Sequence, residues 1–295
     1  MEPDGAGLTA GGPDILCIGA VLWDIIGRAP GVVGLGDDVP GRIRRQPGGV
    51  ALNIAVALAG HGMRPALLSA VGRDAEGAAL VAACKALGLE TGYLFRPDNL
   101  PTDQYMAIEG ANGLIAAVAD AATLEAAGSR ILQGLKPWTG PVVVDGNLTA
   151  AVLAGIVGST LFAAADLRIA AASPDKAGRL AALLGCGRAV LYVNLAEAGV
   201  LAGRPMTGAA EAAAAVLALG FGRVLVTDGA GPCADGRADG VITGVPPAVA
   251  VRRVTGAGDA FMAGHIAAER RGLGRSEALQ AALAAAAGHV SAGMN

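Results

Sequence analysis

The chain has 295 residues, of which 53% are hydrophobic and 16% charged, and its formal net charge is −3. This length accommodates one large α/β domain or two ordinary ones, and so apolar a composition excludes a disordered chain. Lys and Arg are scattered rather than gathered in a basic stripe, which argues against a nucleic-acid partner. Mean hydropathy is +0.52, yet no uninterrupted run of about 20 strongly apolar residues predicts a membrane span.

The N-terminal segment and the cysteines indicate the compartment. Residues 1–12 are small, acidic and glycine-rich, without the basic start and apolar core of a signal peptide. We therefore expect a disordered tail ahead of one folded unit over 13–295. The four cysteines lie far apart in apolar surroundings and form no CxxC pair, which predicts reduced core thiols and a cytoplasmic protein. They are Cys17, Cys84, Cys186 and Cys233.

The N-terminal half begins with alternating strand and helix patterns. DILCIGAVLWDII predicts one buried strand that ends in a turn, and GGVALNIAVALAGHG predicts a helix over 50–59. PALLSAVGRD and AEGAALVAACKALG repeat the strand and the helix. From residue 93 to about 118 the pattern changes to two extended runs around GANG, which predicts a hairpin.

The C-terminal half returns to the alternation. PVVVDGN, ADLRIAAA, AVLYVNL and GRVLVTDGAG are apolar runs separated by helical patterns. This order predicts a mostly parallel, doubly wound sheet with helices on both faces. Ligands of such sheets bind beyond the carboxyl ends of the strands. Polar exceptions to the apolar pattern fall at these ends, namely Asp24, Asp145, Asn147, Asn194, Glu197 and Thr227 with Asp228 and Gly229.

TGAGDAFMAG, near the C-terminus, opens a helical pattern with bare backbone at Gly256 and Gly258. The amides of these glycines and of Ala257, together with the helix dipole, form a site for phosphate or for developing negative charge. Asp259 would repel a bound anion, so its place beside such a site suits a base that deprotonates an attacking hydroxyl. An N-capping Asp after a tight turn is the structural alternative.

A second group of residues suits a sugar. Gly48 and Gly49 leave bare backbone before a helix, and the amide of Asn53 offers both a donor and an acceptor to vicinal hydroxyls. A glycine turn followed by a polar helix residue explains this group equally well. Asp24, after a nearly all-apolar strand, is costly to bury unless it is paired or holds a ligand.

Two further strand ends suit a nucleotide and its metal. Asn194 ends a strand and Glu197 follows three residues on, a spacing that suits the water shell of Mg²⁺ and equally a helix capping box. Thr227 and Gly229 offer a hydroxyl and a bare amide, either to a nucleotide phosphate or to a plain tight turn.

Several common catalytic classes are missing from the sequence. It contains no GxxxxGK[ST] P-loop, no protein-kinase motif set and no GxGxxG after the first strand. No histidine lies beside a nucleophile motif, so a Ser-His-Asp hydrolase is not indicated. We expect His61, His265 and His289 on helix surfaces or at helix ends.

Together and in this order, the motifs resemble the PfkB, or ribokinase-like, family of carbohydrate and nucleoside kinases over most of the chain. The resemblance implies a three-layer α/β/α sandwich with a small β-sheet lid, and transfer of a phosphoryl group from ATP with Mg²⁺. The matching segments are GGxxxN at 48–53, VGRDAEG at 71–77, NxxE at 194–197, TxG at 227–229 and TGAGDAFMAG at 255–264.

The resemblance also implies roles for single residues. Asp259 takes the place of the family's catalytic base, and the amides of residues 256–258 stabilise the transferred phosphoryl group. Asn194 and Glu197 match the motif linked to magnesium and phosphate, the metal being held through water. The remaining assignments place Thr227, Gly229 and Asn194 on the nucleotide, and Asp24, Gly48, Gly49 and Asn53 on the sugar.

By the same resemblance, segments 30–45 and 96–119 form a lid that closes over the sugar and excludes water. Such lids often pair with the lid of another subunit, which leaves a homodimer open. Where the family often has an acidic residue and a Thr before the TGAGD portion, this chain has Arg253 and Val254. A monovalent-cation site, and the sugar specificity that accompanies it, therefore stay open.

For the acceptor, VNLAEA, ASPDKAG and the stretch 102–120 are similar to the pseudouridine kinases of the family. This similarity implies the 5′-OH of pseudouridine as acceptor, with Thr102, Gln104 and Tyr105 facing the base, although cross-strand packing explains Tyr105 equally well. Ribose, adenosine and fructose phosphates stay open as acceptors. A sugar phosphate needs a basic cluster, for which the chain offers Arg28, Arg42, Arg44 and Arg45.

Two other function classes stay open. A catalytically silent sugar- or nucleotide-binding regulator is disfavoured by the complete TGAGD loop. A glycosidic-bond enzyme acting on nucleosides requires a second carboxylate or a metal cluster across the sugar, and the sequence shows neither.

Overall fold

A computed structural model describes residues 11–292, so the predicted tail over 1–12 lies outside the described residues except for its last two positions. The strands of the described chain are β1 (Ile15–Ile18), β2 (Leu22–Arg28), β3 (Arg42–Gly48), β4 (Pro65–Leu68), β5 (Gln104–Gly110), β6 (Gly113–Asp120), β7 (Pro141–Asp145), β8 (Asp166–Ala170), β9 (Val190–Asn194), β10 (Arg223–Thr227), β11 (Cys233–Arg237) and β12 (Gly240–Gly244). Its helices are α1 (Val50–Gly60), α2 (Ala75–Ala86), α3 (Ala122–Ala127), α4 (Ala150–Gly158), α5 (Pro174–Ala177), α6 (Leu195–Ala202), α7 (Ala209–Leu217), α8 (Ala257–Arg270) and α9 (Arg275–Ser291).

The larger of two sheets has eight strands in the order β12-β11-β10-β9-β8-β7-β1-β4. Strands β4, β1, β7, β8, β9 and β10 run parallel, and β11 and β12 add an antiparallel hairpin at one edge. The parallel strands are continuous apolar runs, such as VVV in β7, because both faces of this sheet are covered. The predicted α/β class is confirmed, and the edge hairpin is an addition to the predicted pattern.

Helices cover both faces of the large sheet and complete three layers. One apolar core lies beneath α3, α4, α6 and α7 and includes Phe162, whereas the other lies beneath α1, α2, α8 and α9 and includes Phe261. Small side chains let α8 and α9 pack closely, because a Cβ at Gly264 would lie 2.5 Å from the Cβ of Ala285. Small residues in these two helices therefore serve close helix packing.

The small sheet has four strands in the order β3-β2-β5-β6. Strands β5 and β6 form the hairpin predicted around GANG. The predicted single strand DILCIGAVLWDII is instead two strands, because the chain leaves the large sheet after Ile18 and β2 enters the small one. Apolar run length alone does not reveal this change of sheet, since buried positions continue through Trp23. The assignment of this sheet as a lid stays a prediction.

A buried polar network lies beneath α8. Arg223 donates through Nε and Nη2 to the two carboxylate oxygens of Asp235, at 2.9 and 2.6 Å. His265 Nε2 accepts from Arg223 at 3.0 Å, and its Nδ1 lies 2.8 Å from the Tyr192 hydroxyl. Burial, chiefly, lowers the pKa of His265 to about 3. The expectation that His265 lies on a helix surface or at a helix end is therefore wrong, because these polar partners let the imidazole be buried uncharged.

No helix within residues 11–292 is both long enough and apolar enough to cross a membrane. The four cysteines are free thiols, and Cys186 is the partly exposed one among them. Burial raises the pKa of Cys84 and of Cys233 to about 11, so neither is a reactive thiolate near neutral pH. The cytoplasmic location stays a prediction.

Candidate functional site

The carboxyl ends of β1 and β7 meet at Asp145, a fully buried carboxylate. Its Oδ2 accepts hydrogen bonds from the amides of Ala20 at 2.8 Å and Ala51 at 2.9 Å, and its Oδ1 accepts from the amide of Asn147 at 2.8 Å. Burial raises the pKa of Asp145, and these amides oppose the shift. Asp145 thus ties the β1–β2 turn to the first turn of α1. The sequence marked Asp145 as a polar exception but gave it no role.

The glycine pair before α1 allows close contact with this turn. Gly49 has φ +99°, in the left-handed region that favours glycine, and a Cβ there would lie 2.4 Å from the carbonyl oxygen of Ala20. A Cβ at Gly48 would lie 2.2 Å from the carboxyl carbon of Asp24. The pair therefore seats α1 against both the β1–β2 turn and Asp24. This arrangement brings Asn53, in the first turn of α1, to the same site.

Strand β2 places Asp24 on one face of the small sheet, which we call the Asp24 face. The carboxyl group is buried, and burial raises its pKa to about 6. In register, Asp24 lies beside Tyr105, whereas Gln104 lies beside Trp23. Because side chains alternate along a strand, Tyr105 shares the Asp24 face and Gln104 is on the opposite one. The structure thus brings Tyr105 to Asp24 and separates Gln104 from it.

Thr102 is engaged elsewhere. Its amide donates to Asp74 at 2.8 Å, and its hydroxyl donates to the other oxygen of the same carboxylate. Asp74 also caps α2 by accepting from the amide of Gly77 at 2.8 Å. The VGRDAEG segment therefore supports the root of β5. Thr102 therefore binds the Asp74 carboxylate, so its polar side chain does not require a ligand.

The TGAGD segment forms the N-terminus of α8. Gly256 is the N-cap residue with φ +85°. The amide of Ala257 donates to the carbonyl of Val254 at 3.1 Å, so the expected contribution of Ala257 to an anion site is not available in this conformation. The amides of Gly256, Gly258 and Asp259 have no acceptor among the described residues. Two of the three predicted amides, those of Gly256 and Gly258, are therefore free to bind an anion, together with the amide of Asp259.

Asp259 lies where the other predicted residues converge. Burial raises its pKa to about 7, a hydrogen bond from the Asn53 side chain opposes the shift, and the carboxylates of Asp145, Asp24 and Glu197 add to it. The structure thus brings Asp24, Asn53 and Glu197 to the surroundings of Asp259. A carboxyl group with a pKa near 7 is able to accept a hydroxyl proton near neutral pH.

Arg253 and His289 hold the backbone that precedes this loop. Arg253 donates to the carbonyl oxygen of His289 at 3.0 Å and to its Nδ1 at 3.0 Å. Since a guanidinium only donates, Nδ1 is the acceptor and the neutral ring carries its proton on Nε2, which donates to the carbonyl of Thr255 at 2.8 Å. Burial, followed by the Arg253 charge, lowers the pKa of His289 and keeps it neutral, although the Thr255 carbonyl opposes this shift. Apart from the unusual Arg253, nothing in the sequence pointed to this pairing.

A cavity of about 760 Å³ lies between the start of α6 and the end of β10. All three residues predicted to contact a nucleotide, Asn194, Thr227 and Gly229, line it. Asn194 Oδ1 accepts from the Glu197 amide at 2.9 Å and Glu197 Oε2 accepts from the Asn194 amide at 2.7 Å, which is the capping box foreseen as the alternative. The structure therefore places this group on a cavity and shows that the pair also caps α6.

The side chains around this cavity suit a hydrated Mg²⁺ ion better than one bound directly by protein ligands. Within the part of the chain that the structure describes, no group of three His, Cys, Asp or Glu side chains is able to hold a metal ion. Glu197 is buried and engages one carboxylate oxygen in the capping box, which leaves Oε1 for a water of a hydrated ion. Because Mg²⁺ keeps several waters and is usually bound through one or two carboxylates and substrate phosphates, these residues fit an ion carried by a nucleotide.

With this geometry in place, comparison with known proteins identifies the family. The model of the pfkB family carbohydrate kinases matches residues 13–293. The chain belongs to the PfkB family. The predicted family is thereby confirmed across nearly the whole chain.

Solved structures resemble this PfkB-family chain throughout. A carbohydrate kinase from Agrobacterium tumefaciens is 28% identical with a TM-score of 0.75, over 93% of this chain and 90% of that one. The Arabidopsis thaliana ribokinase complexed with ribose and ATP is 21% identical with a TM-score of 0.78, over 95% and 93%. These neighbours confirm the ribokinase-like fold with its additional small sheet.

A curated relative matches a smaller part of the PfkB-family chain. The 1-phosphofructokinase of Rhodobacter capsulatus is 38% identical over 98 residues, which is 32% of this chain and 31% of the relative. The chain thus matches about a third of that relative's length. This match supports the family and leaves the acceptor to be argued from the site.

Proposed function

We propose that this PfkB-family protein is an ATP-dependent phosphotransferase that phosphorylates a primary hydroxyl of a sugar or nucleoside. The observation that carries the proposal is Asp259, whose pKa of about 7 suits a base and which lies at the start of α8 beside amides that have no acceptor within residues 11–292. A base and an anion site in contact are the two parts that phosphoryl transfer to a hydroxyl requires. Membership in a family of carbohydrate kinases supports the same reaction.

Each residue of the site has a distinct part in this mechanism. Asp24 and Asn53 bind hydroxyls of the acceptor and hold the primary hydroxyl toward Asp259. Asp259 accepts the proton of that hydroxyl as the hydroxyl oxygen attacks the terminal phosphorus of ATP, and the bond from this phosphorus to the bridging oxygen breaks so that ADP leaves. The free amides of Gly256 and Gly258, with the dipole of α8, stabilise the negative charge on the transferred phosphoryl group.

The cavity beside α6 suits the nucleotide. Thr227 and Gly229 line it and offer a hydroxyl and an amide to phosphate oxygens. Glu197 would hold a water of Mg²⁺ through Oε1, and Asn194 would offer its side-chain amide hydrogens to the phosphates. When bound, Mg²⁺ supplies charge neutralisation of the phosphates. Arg253 and His289 already hold the backbone beside the anion site. A need for a monovalent cation at this place therefore stays an open alternative.

Pseudouridine, through its 5′-OH, is our proposed acceptor. Of the three side chains predicted to face its base, Tyr105 is the one that shares the Asp24 face. A sugar phosphate is the second candidate. Arg28, Arg42 and Arg44 line a groove of about 1010 Å³ on the Asp24 face, whereas Arg45 stacks over Trp23 at 3.9 Å on the opposite face. The Rhodobacter relative is a 1-phosphofructokinase, which also favours this second candidate.

We further propose that the small sheet acts as a lid and pairs with the same sheet of a second copy. The face opposite Asp24 exposes apolar side chains to solvent, with Ile43 80% and Val118 68% exposed and Met106 and Ile108 about half exposed. Soluble monomers rarely expose contiguous apolar patches of this kind. A homodimer would cover this face and leave the Asp24 face toward the acceptor.

The decisive test measures ADP release from ATP and Mg²⁺ with pseudouridine, uridine, adenosine, ribose, fructose and fructose phosphates. We expect turnover with pseudouridine, and Asp259→Asn should lower kcat by about 10²- to 10⁴-fold while acceptor binding persists. Turnover with fructose phosphates alone would replace pseudouridine by the second candidate. Folded protein that binds ATP but phosphorylates none of these acceptors would contradict the proposed kinase activity on this panel.

A further inference from the structure

Lys176, in α5, extends to the carboxyl end of the neighbouring strand β7. Its Nζ donates to Asn147 Oδ1 at 2.7 Å. Because an ammonium group has only donors, this bond fixes the Asn147 amide with its oxygen toward Lys176 and its NH₂ group away from it. The NH₂ group of Asn147 also donates to the Asp145 carboxylate, so the pair presents the remaining Nζ hydrogens and the second NH₂ hydrogen as donors. The sequence marked Asn147 as a polar exception and gave Lys176 no role.

The charge of Lys176 is not matched by an ion pair. Among the described residues, no carboxylate lies within ion-pair distance of its Nζ, although Asn147 is largely buried and Lys176 is half-buried. Burial and the nearby Arg179 lower the pKa of Lys176, while Asp145, Glu125 and Asp103 act at longer range in the opposite sense. A half-buried ammonium with a neutral amide as its partner keeps hydrogens that water or a ligand is able to accept.

The pair lies beside the acceptor end of the candidate site. The Asn147 amide and the amides of Ala20 and Ala51 share the Asp145 carboxylate, and Ala51 is two residues from Asn53 in α1. Asp145 acts electrostatically on both Asp259 and Lys176. Asp103, at the root of β5, also acts on Lys176. Lys176 therefore lies near both Asp145, in the candidate site, and Asp103, at the root of the small sheet.

We propose that Lys176 and Asn147 together bind carbonyl oxygens on the base of a nucleoside acceptor, and thus determine specificity for the base. The pair offers donors, which carbonyl oxygens require. Of the three carboxylates that act on Lys176, Glu125 pairs with Arg179 at 2.6 Å, whereas Asp145 and Asp103 disfavour an anion and so favour a neutral carbonyl over a phosphate. The proposal depends on the proposed function for the reaction that the bound nucleoside undergoes.

The test measures binding separately from turnover. Isothermal titration calorimetry without ATP gives the Kd of pseudouridine and of ribose, which lacks the base, for the wild type, Lys176→Met and Lys85→Met. Lys85 lies in the last turn of α2 with an exposed side chain and is the matched control. We expect Lys176→Met to raise the Kd of pseudouridine at least tenfold without changing that of ribose, and Lys176→Arg, which keeps the donors, to restore part of the loss.

Each outcome decides the proposal. Equal pseudouridine affinity in Lys176→Met and wild type, or a wild type that binds pseudouridine no better than ribose, would overturn it. If Lys176→Met is unfolded by circular dichroism, Asn147→Ser replaces it in the same comparison with the same expected loss. Lys176-dependent binding of pseudouridine without ADP release would support this proposal and contradict the proposed kinase activity, so the two failures are distinguishable.

Discussion

At the residue scale, the candidate site gathers acidic groups at a cost to stability. Burial is the leading cause that raises the pKa of Asp24, Asp145, Glu197 and Asp259. Such an arrangement is unfavourable for folding alone, because each carboxylate loses hydration and repels the others. Perturbed carboxyl groups of this kind are typical of functional sites.

A stability prediction follows for Asp259. Its folded pKa of about 7 lies above the ordinary Asp value of about 4, so the folded state binds more protons between these two pH values. Stability at this group is therefore present at low pH and is lost as pH rises toward about 7. We expect Asp259→Asn to raise the midpoint of thermal unfolding at pH 8 and to have a much smaller effect at pH 4. The measurement is calorimetric unfolding at both pH values, with the exposed Asp98→Asn as control.

The same shift predicts the pH dependence of activity. If Asp259 must be ionised to accept the hydroxyl proton, kcat/KM rises with pH through an apparent pKa near 7. Asp24, with a pKa of about 6, contributes to the same acidic limb. A profile that is flat from pH 5 to pH 8 would contradict the assignment of Asp259 as base.

Arg253 is a second residue whose substitution should change activity. Its bonds to His289 hold the carbonyl of Thr255 through the neutral imidazole, one residue before Gly256. Since misplaced catalytic groups lose rate steeply, we expect Arg253→Met to lower kcat about tenfold with little change in ATP affinity. Arg252→Met, which removes a neighbouring exposed guanidinium, is the control. Equal kcat in the two variants would show that the hydrogen bonds between Arg253 and His289 do not position the backbone before Gly256.

At the scale of elements, α8 connects the candidate anion site to the buried polar network at its other end. Its N-terminus carries Asp259, and further along it His265 and Glu269 contact Arg223. Asp235, on β11, completes the network through Arg223 and Arg275. The helix that carries the proposed base is thus fixed to the sheet by buried charge pairs as well as by apolar packing.

Removal of one buried charge tests the importance of this network. Asp235 is fully buried, and Asp239, which also pairs with Arg275, is 71% exposed. We expect Asp235→Asn to lower the free energy of unfolding by about 3–5 kcal/mol, because Arg223 and Arg275 both lose the charge of a fully buried carboxylate partner. Asp239→Asn should cost about 0–1 kcal/mol. Urea denaturation of the two variants makes the comparison, and equal losses would contradict a structural role for the network.

At the scale of the whole molecule, the small sheet has a polar face and an apolar face. The Asp24 face carries Asp24 and Tyr105, and the opposite face exposes Ile43 and Val118. This division is what a sheet requires if it covers a polar ligand on one side and another protein surface on the other. It agrees with the proposed lid and homodimer.

Charge on the apolar face should separate the two copies. We expect Val118→Asp to convert a dimer into a monomer, because the interface would bury an unpaired carboxylate. Light scattering coupled to size-exclusion chromatography measures the mass. Val241→Asp, on the edge strand β12 of the large sheet, is the control and should leave the mass unchanged. A wild-type monomer at all concentrations would contradict the homodimer.

The sequence by itself determined the alternation of strands and helices, the family and the chain positions of the candidate residues. It did so because periodic apolar patterns and glycine-rich turns are local properties. The hairpin around GANG and the polar strand ends were predictable for this reason. The same local pattern could not show that the chain changes sheet between Ile18 and Leu22, because both strands begin with buried apolar residues.

Only the tertiary structure decided which distant side chains meet. It placed Gln104 on the face of the small sheet that points away from Asp24, and it hydrogen-bonded Thr102 to Asp74. It also engaged the amide of Ala257 in a hydrogen bond within its own turn. It also buried His265, and it paired Lys176, which follows β8, with Asn147, which follows the neighbouring strand β7. These outcomes depend on strand register and on hydrogen-bond partners far away in the chain. Burial of a polar group is decided by such partners, and a single sequence does not record where they lie.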